Sequence, residues 1–307
     1  MSFDVPRPDE AAIRAALSAH TPHLAEETIE PLGTGWAFWA YRAGGVVLRF
    51  PRDPEFTETL AVEAAVMREL APALPLLVSV IDVHEKGPNG LPFTSHGLVD
   101  GIPIADLTRP LAPNAGAMLG RFLRAMHAFP VERAVTLGLA LETPEARRAS
   151  RRRLFEQRVV PWAFPLISET AREHVTATFE AFLSNDTNFD FQPVVSHSDI
   201  DGYNVLADPV TGELTGVIDW GDICIHDPAG DFTSAQYGTL AEAGLRSQLP
   251  SLFDAYGLSE AEVKAMRPRC EFGTYCEPLH EIMFGVESRQ DFFVKRGVGS
   301  LYAAISF

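Results

Sequence analysis

Three oxygen-bearing side chains, Asp199, Asn204 and Asp219, lie within one short part of the sequence. The residues between them predict a hairpin, because a strand that starts at Asn204 is followed by turn chemistry at 208–212 and by a returning strand that ends at Ile218. If these strands pair around the turn, the numbers of opposed residues sum to about 422, which places Asn204 opposite Ile218. We therefore expect the three side chains to converge at the open end of the hairpin.

Two carboxylates and an amide oxygen form a set of hard ligands, suited to a magnesium ion that phosphate also holds. A carboxylate that the metal leaves free can accept a proton from an attacking hydroxyl. Each residue alone also has an ordinary interpretation, with Asn204 as a turn residue and Asp219 as the end of a strand. The nearby His197 is either a core histidine or a fragment of a metal-hydrolase site, but no H-x-H-x-D or H-E-x-x-H motif accompanies it.

The ordered set is more specific than its members. The pattern H-x-D-x-x-x-x-N, followed by an aspartate 15 residues later, resembles the catalytic core of the aminoglycoside phosphotransferase family. The resemblance implies that Asp199 is the catalytic aspartate, that His197 braces the loop, and that Asn204 and Asp219 are the metal ligands. Trp220 occupies the place where the related kinase D-F-G motif has phenylalanine.

An arginine and a glutamate in the first hundred residues are predicted to pair. Arg49 lies in an apolar strand, 46–51, and Glu63 shares a helical stripe with Leu60, Met67 and Leu70. A buried carboxylate is costly unless it is paired, and Arg49 is the nearest cationic candidate. The pair resembles the strand lysine and helix glutamate of kinases, with arginine in place of lysine, and implies a phosphate contact. A purely structural ion pair is the alternative.

Two further segments resemble the nucleotide contacts of the family. Gly33 and Gly35 lie in a turn between apparent strands, where the backbone can approach phosphates, although a plain hairpin is an equal alternative. The segment 93–101 resembles the hinge between lobes, and backbone groups of Ser95 and Gly97 would then read the purine edge. A simple strand and turn is the alternative for that segment.

Several acidic side chains and one tyrosine are candidates for binding a cationic acceptor, because the family's acceptor pocket lies between the catalytic loop and the carboxy-terminal helices. They are Asp201, Asp222, Glu271, Tyr275, Glu277 and Glu281. Helical spacing places Glu271 with Tyr275 on one face and Glu277 with Glu281 on another, so only some of them can point into one cleft. A solvated acidic face is the alternative, and Asp222 also fits a turn.

The composition indicates an acidic globular protein. The 307 residues carry a formal net charge of −16 and are 46% hydrophobic. This charge argues against a nucleic-acid partner and suits a cationic small substrate, although an acidic surface also simply keeps proteins dispersed. Five arginines at 147–153 are therefore predicted to form a solvated face and not a nucleic-acid patch. Three cysteines lack disulfide or zinc spacing, and no leader or membrane span is indicated, so we expect a cytoplasmic monomer without a membrane partner.

The resemblance implies an α+β, two-lobed, protein-kinase-like fold, with a small antiparallel-sheet lobe in residues 1–100 and a larger, mostly helical lobe in residues 101–307. It also implies Mg²⁺, ATP or GTP as co-substrate, and transfer of the γ-phosphoryl group to a hydroxyl. The motifs look most like aminoglycoside kinases that act at the 2″ hydroxyl, then macrolide kinases and metabolite kinases of the same fold. A nucleotide-binding regulatory protein with weak turnover is the alternative from another class, since arginine replaces lysine.

Overall fold

The computed structural model describes residues 5–34 and 37–305, in which a sheet-rich beginning is followed by a mostly helical remainder. The strands are β1 (Ile29–Thr34), β2 (Phe38–Ala43), β3 (Val46–Pro51), β4 (Leu77–Val78), β5 (Asp82–His84), β6 (Phe93–Gly97), β7 (Ile102–Pro103), β8 (Val194–Ser196), β9 (Val205–Ala207), β10 (Leu214–Val217) and β11 (Cys224–His226). The helices are α1 (Glu10–His20), α2 (Leu60–Leu70), α3 (Ala115–His127), α4 (Val131–Thr136), α5 (Pro144–Leu154), a π-helix (Phe155–Ala163), α6 (Glu169–Ser184), α7 (Ala229–Tyr237), α8 (Thr239–Glu242), α9 (Leu249–Tyr256), α10 (Glu260–Glu287) and α11 (Asp291–Ile305). The fold is α+β, as predicted.

The first sheet has the strand order β1-β2-β3-β6-β5, and all its pairs are antiparallel. Nearly every residue of β3 is buried, including Arg49. Beside it, α2 buries the predicted stripe of Leu60, Glu63, Met67 and Leu70. An apolar strand and an apolar helix face thus enclose one arginine and one glutamate, which forces the two charges toward each other.

Only one of the two glycines that were predicted to cover the nucleotide is among the described residues. Gly33 belongs to β1, and Gly35 lies outside the described residues. Their contact with phosphates stays a prediction.

A second sheet has the strand order β4-β10-β9-β7. Its strands β9 and β10 form the hairpin predicted between Asn204 and Asp219, which we call the catalytic hairpin. Leu206 opposes Gly216 and Val205 opposes Val217, and the N–H of Ile218 donates to the carbonyl of Asn204 at 2.9 Å. The predicted register is therefore confirmed. The sheet also includes β4, which pairs in parallel with β10, so a strand from the first hundred residues joins the sheet of the catalytic hairpin.

The helical remainder has two core clusters, and Trp220, which is fully buried, belongs to the one that contains α3 and α7. Along α3, Leu119, Phe122, Leu123 and Met126 are each 0% exposed, so helical spacing places them on one buried face. Gly120 on the same helix allows close packing against α9, because a Cβ there would lie 2.2 Å from the carbonyl oxygen of Leu252. None of the helices in the described residues is long and apolar enough to cross a membrane.

Candidate active site

One cleft, with a volume of about 580 Å³, collects the predicted chemical groups. Arg49 and Glu63 line it from the first sheet and α2, and Asp199, Asp219 and Asp222 line it from the segments beside the catalytic hairpin. Residues from distant parts of the sequence therefore face one volume, as the motif predicted.

The loop that carries Asp199 leaves β8 in a strained conformation. Ser198 has a φ of 73°, in the left-handed region that a non-glycine residue rarely adopts. The carboxylate of Asp231, at the start of α7, accepts hydrogen bonds from the backbone N–H of Ser198 at 2.8 Å and of His197 at 3.2 Å. A buried anion thus holds the loop in place from behind.

His197 braces the loop against the hairpin, as the resemblance implied. Its Nε2–H donates to the carbonyl of Ile218 at 3.0 Å, and its Nδ1 accepts from the N–H of Asp199 at 3.3 Å. Its ring lies 4.6 Å from that of Trp220. One side chain therefore connects the segment of Asp199 to the segment of Asp219.

A buried network behind the loop is the feature that sequence reasoning missed. Asp231 accepts from Nε2 of His127 at 2.9 Å and also from the hydroxyl of Ser196, while Nδ1 of His127 lies 2.9 Å from the hydroxyl of Tyr256. Burial would raise the pKa of Asp231, but the hydrogen bond and charge of His127, with contributions from His226 and Ser196, lower it to about 2. No short sequence motif links His127 to a partner 104 positions away, so the sequence alone could not predict this contact.

Asn204 lies beside Asp199. Its Nδ2 donates to the backbone carbonyl of Asp199 at 2.9 Å and to Oδ2 of that residue at 2.7 Å, and no described residue donates to its Oδ1. Oδ1 of Asp201 accepts from the N–H groups of Tyr203 and Asn204 at 2.8 and 3.0 Å. Asp201 therefore shapes the loop itself, in addition to the acceptor role predicted for it.

Asp219 and Arg49 face each other across the cleft. Asp219 has a φ of 64° and a side chain that is 60% exposed. Arg49 Nη1 lies 3.3 Å from Oε1 of Glu63, and its guanidinium stacks over Phe38 at 4.3 Å. Its Nη2 is buried, makes no hydrogen bond with any described residue, and lies 4.0 Å from Oδ1 of Asp219. The predicted Arg49–Glu63 pair is confirmed, and it leaves one donor for an anionic group.

Three carboxyl groups of the cleft, those of Asp199, Asp222 and Glu63, have a raised pKa. Burial raises the pKa of Asp199, and the charge of Asp219 adds to this, whereas His197 and Asn204 oppose it. Burial also raises the pKa of Asp222 and of Glu63. Asp199 is therefore a better proton acceptor than an ordinary surface aspartate.

The residues present fit a magnesium ion that phosphate shares. Within the described residues, no three His, Cys, Asp or Glu side chains are arranged to hold a metal by themselves. The amide oxygen of Asn204 and the exposed carboxylate of Asp219 are hard donors, and the orphaned Nη2 of Arg49 is suited to a phosphate oxygen. This donor set matches a metal that arrives with its nucleotide.

The contact of a purine with backbone groups of Ser95 and Gly97 stays a prediction. His96, Leu98 and Val99 line the cleft, and the predicted Ser95 and Gly97 do not. The hydroxyl of Ser95 lies 2.8 Å from His84 on the other face of β6, because neighbouring residues of a strand alternate between faces.

Of the four positions predicted on α10, one lies near Asp201, in the loop that follows Asp199. Burial raises the pKa of Glu277, and the charges of Asp201 and Glu242 add to this, which places all three near one another. The other three face elsewhere, since a helix spreads its residues around its axis. Glu271 accepts from the hydroxyl of Tyr237, Tyr275 packs in the core beside α6, and Glu281 pairs with Arg296 of α11.

Comparisons with known proteins agree with this geometry. Residues 28–271 match the APH phosphotransferase enzyme family. Viomycin phosphotransferase of Streptomyces vinaceus is 30% identical over 202 residues, which are 62% of this chain and 68% of that protein.

Solved structures share the fold. The GDP complex of aminoglycoside 2'-phosphotransferase-IIIa has a TM-score of 0.82 at 20% identity, over 98% of this chain and 100% of that one. A GDP and kanamycin complex of APH(2")-IIIa also has a TM-score of 0.82 at 20% identity, over 96% and 98%. A macrolide 2'-phosphotransferase of Brachybacterium faecium has 0.72 at 22%, over 94% and 97%. This chain therefore belongs to the phosphotransferase enzyme family.

Proposed function

We propose that this protein transfers the γ-phosphoryl group of ATP or GTP to a hydroxyl of an aminoglycoside-type acceptor. The observation that carries the proposal is that Asp199, which accepts a hydrogen bond from Asn204, and Asp219 line one cleft, opposite an arginine whose buried Nη2 makes no hydrogen bond with any described residue. The cleft lies between the sheet of the amino-terminal region and the catalytic hairpin, which gives room for a nucleotide.

Each side chain has a task in this reaction. Asp199 orients the acceptor hydroxyl and takes its proton, and its raised pKa favours that step. Asn204 and Asp219 would hold Mg²⁺, which neutralises phosphate charge when bound. Arg49, fixed by Glu63, directs its free Nη2 to a phosphate oxygen. Most of the rate enhancement would come from positioning and from charge neutralisation.

The acceptor side of the site is acidic. Asp201, Asp222, Glu242 and Glu277 carry carboxylates near the catalytic loop. Such a surface attracts ammonium groups, which favours an aminoglycoside over a macrolide with one amine and a large apolar ring. The retained catalytic aspartate speaks against a regulatory protein without turnover.

The test compares wild type with Asp199→Asn. We expect the variant to bind GTP and ATP within about twofold of wild type and to lose turnover by at least about 100-fold, because general base catalysis is removed. Asp190→Asn is the matched control, since Asp190 is exposed and lies outside the cleft.

Nucleotide turnover is measured with and without a panel of aminoglycosides and macrolides, and the stimulating compound names the acceptor class. Wild-type activity in Asp199→Asn would refute the catalytic assignment. An absence of stimulation by every compound would favour the regulatory alternative.

A further inference from the structure

The ring of Phe38 covers one face of the Arg49 guanidinium. The Cζ atom of Arg49 lies over that ring, 4.3 Å from its centroid, and both side chains line the cleft of the candidate active site. The two strands bring them together, because β2 and β3 are antiparallel with Ala40 opposite Arg49. Phe38 precedes Ala40 by two residues and so lies on the same face of the sheet. The register of two neighbouring strands therefore fixes the contact.

The hydrogen bonds of Arg49 do not fix the orientation of its guanidinium by themselves. Nη1 lies 3.3 Å from Oε1 of Glu63, whereas the buried Nη2 makes no hydrogen bond with any described residue and lies 4.0 Å from Oδ1 of Asp219. A flat ring against the guanidinium restricts the plane of the group. Because a guanidinium is planar, fixing Nη1 and the plane also fixes the direction of Nη2. Glu63 and Phe38 together therefore direct Nη2 toward the space beside Asp219.

An arginine at this position needs such support more than a lysine does. The ammonium group of lysine is a compact charge with three rotatable donors, so it can meet a phosphate oxygen from several directions. A guanidinium presents its donors in a rigid plane, and a rotation of that plane would turn Nη2 away from the cleft. The ring of Phe38 thus compensates for the replacement of the kinase lysine by Arg49 in this chain.

We propose that Phe38 is a positioning residue for the nucleotide phosphates: its ring holds the guanidinium of Arg49 in the plane from which Nη2 donates to a phosphate oxygen. Phe38 acts through Arg49 and not by contact with the base or the ribose. This inference rests on the proposed function and adds to it a residue outside the known motifs. The Arg49 side chain is only 8% exposed, and a cation–aromatic contact that is shielded from water changes affinity by about tenfold.

The first experiment uses the protein without nucleotide. In NMR spectra of protein with isotope-labelled arginine, Nη1 and Nη2 give separate signals when rotation about the Nε–Cζ bond is slow and one averaged signal when it is fast. The Arg49 signals are assigned by their loss in Arg49→Lys. We expect separate Nη signals in wild type and in Phe38→Tyr, which keeps the ring, and an averaged signal in Phe38→Leu.

Trp39→Leu is the matched control for Phe38→Leu. Trp39 is the next residue of β2, lies outside the cleft, and has the guanidinium of Arg52 over its own ring at 4.3 Å. The Arg49 signals should stay separate in this variant. An averaged Arg49 signal in wild type, or separate signals in folded Phe38→Leu, would overturn the proposal.

The second experiment compares the affinity for ATP and GTP with that for adenosine and guanosine. We expect Phe38→Leu to weaken binding of the preferred triphosphate by about tenfold and binding of its nucleoside by less than about twofold, because the nucleoside has no phosphate for Arg49. Phe38→Tyr and Trp39→Leu should both stay within about twofold of wild type. Equal losses for the triphosphate and the nucleoside would overturn the proposal, since Phe38 would then contact the base or the ribose.

A double-mutant cycle tests whether Phe38 acts through the guanidinium. In the Arg49→Lys background, Phe38→Leu should weaken triphosphate binding by less than about twofold, because an ammonium group has no plane to orient. The same loss in both backgrounds would overturn the proposal and leave nucleotide binding, and with it the proposed function, intact. If wild type binds neither triphosphate, the proposed function fails, and the phosphate role of Phe38 fails with it.

Discussion

Asp231→Asn tests whether one buried carboxylate holds the catalytic loop. The two oxygens of Asp231 accept from four donors: the hydroxyl of Ser196, Nε2 of His127, and the backbone N–H groups of His197 and Ser198. Asparagine has nearly the same shape but only one accepting oxygen. If its NH₂ group replaces Oδ1, the N–H of Ser198 loses its partner, and the strained residue before Asp199 is released.

The expected loss of stability in Asp231→Asn has two parts, the loss of the carboxylate charge and the loss of the hydrogen bond from the N–H of Ser198. A fall in the pKa of Asp231 from an ordinary 3.8 to about 2 corresponds to about 2 kcal/mol in favour of the ionised carboxylate. One unpaired buried N–H adds about 1–3 kcal/mol. We therefore expect Asp231→Asn to lower the free energy of unfolding by about 3–5 kcal/mol, the range typical of a broken buried pair.

The pH dependence of the stability difference between wild type and Asp231→Asn distinguishes an effect of the carboxylate charge from an effect of side-chain shape. Because the folded-state pKa is lower than the unfolded one, the stabilisation is fully present above 3.8 and is lost as the pH falls toward 2. The stability gap between wild type and variant should thus stay constant from pH 7 to about 5 and narrow by about 1 kcal/mol at pH 3. Other carboxylates are common to both proteins and cancel in the difference.

Urea unfolding at each pH measures the difference in free energy of unfolding between wild type and Asp231→Asn. The kcat with nucleotide and acceptor reports whether the loop that carries Asp199 keeps its position. We expect kcat to fall at least about tenfold while nucleotide affinity changes little, since Arg49 and Asp219 are untouched. Asp186→Asn is the control, because Asp186 is 89% exposed and its pair with Arg148 should contribute less than about 1 kcal/mol. A gap under 1 kcal/mol, or one that does not change with pH, would refute the reasoning.

Two further outcomes follow from packing and from the acidic cleft. Gly120→Ala should destabilise the protein by about 1–3 kcal/mol in urea unfolding, because its Cβ would lie 2.2 Å from the carbonyl oxygen of Leu252. Gly45→Ala is the control and should change stability by less than about 0.5 kcal/mol, because a Cβ there would have no atom within 4 Å. Equal effects of the two substitutions would contradict the packing argument. The raised pKa values of Asp199 and Asp222 predict that kcat/KM falls with decreasing pH through an inflection above 3.8, so an acid limb centred at or below 3.8 would contradict the electrostatics.

The parts of the site that the sequence predicted are those set by short-range rules. Turn chemistry at 208–212 and the period of a strand gave the register of the hairpin, which the pairing of Val205 with Val217 confirms. The helical period put Glu63 on an apolar face, and the cost of a buried charge then selected Arg49. Both inferences use neighbours in sequence or a single strong energetic constraint.

The parts of the site that the sequence did not predict depend on tertiary packing. His127 and Asp231 meet through the packing of α3 and α7, and neither residue has a local signature for that contact. On α10, the 28-residue helix is polar at many positions, so its period could not select Glu277 as the residue that faces the catalytic loop. On α5, where no residue is buried, Arg148 pairs with Asp186, a contact that net charge and helical period could not predict.

Two non-glycine residues of the site have left-handed backbone conformations, one directly before Asp199 and the other Asp219 itself. Ser198 has a φ of 73° and Asp219 a φ of 64°, and such conformations cost about 1–3 kcal/mol each. Ser198 is held by Asp231 through its N–H and by His226 through its hydroxyl at 2.8 Å. Asp219 follows Ile218, whose N–H and carbonyl are bound by Asn204 and His197. The backbone N–H of His197 also donates to Asp231, so His197 connects the contacts of the two strained residues and positions the segments of Asp199 and Asp219 relative to each other.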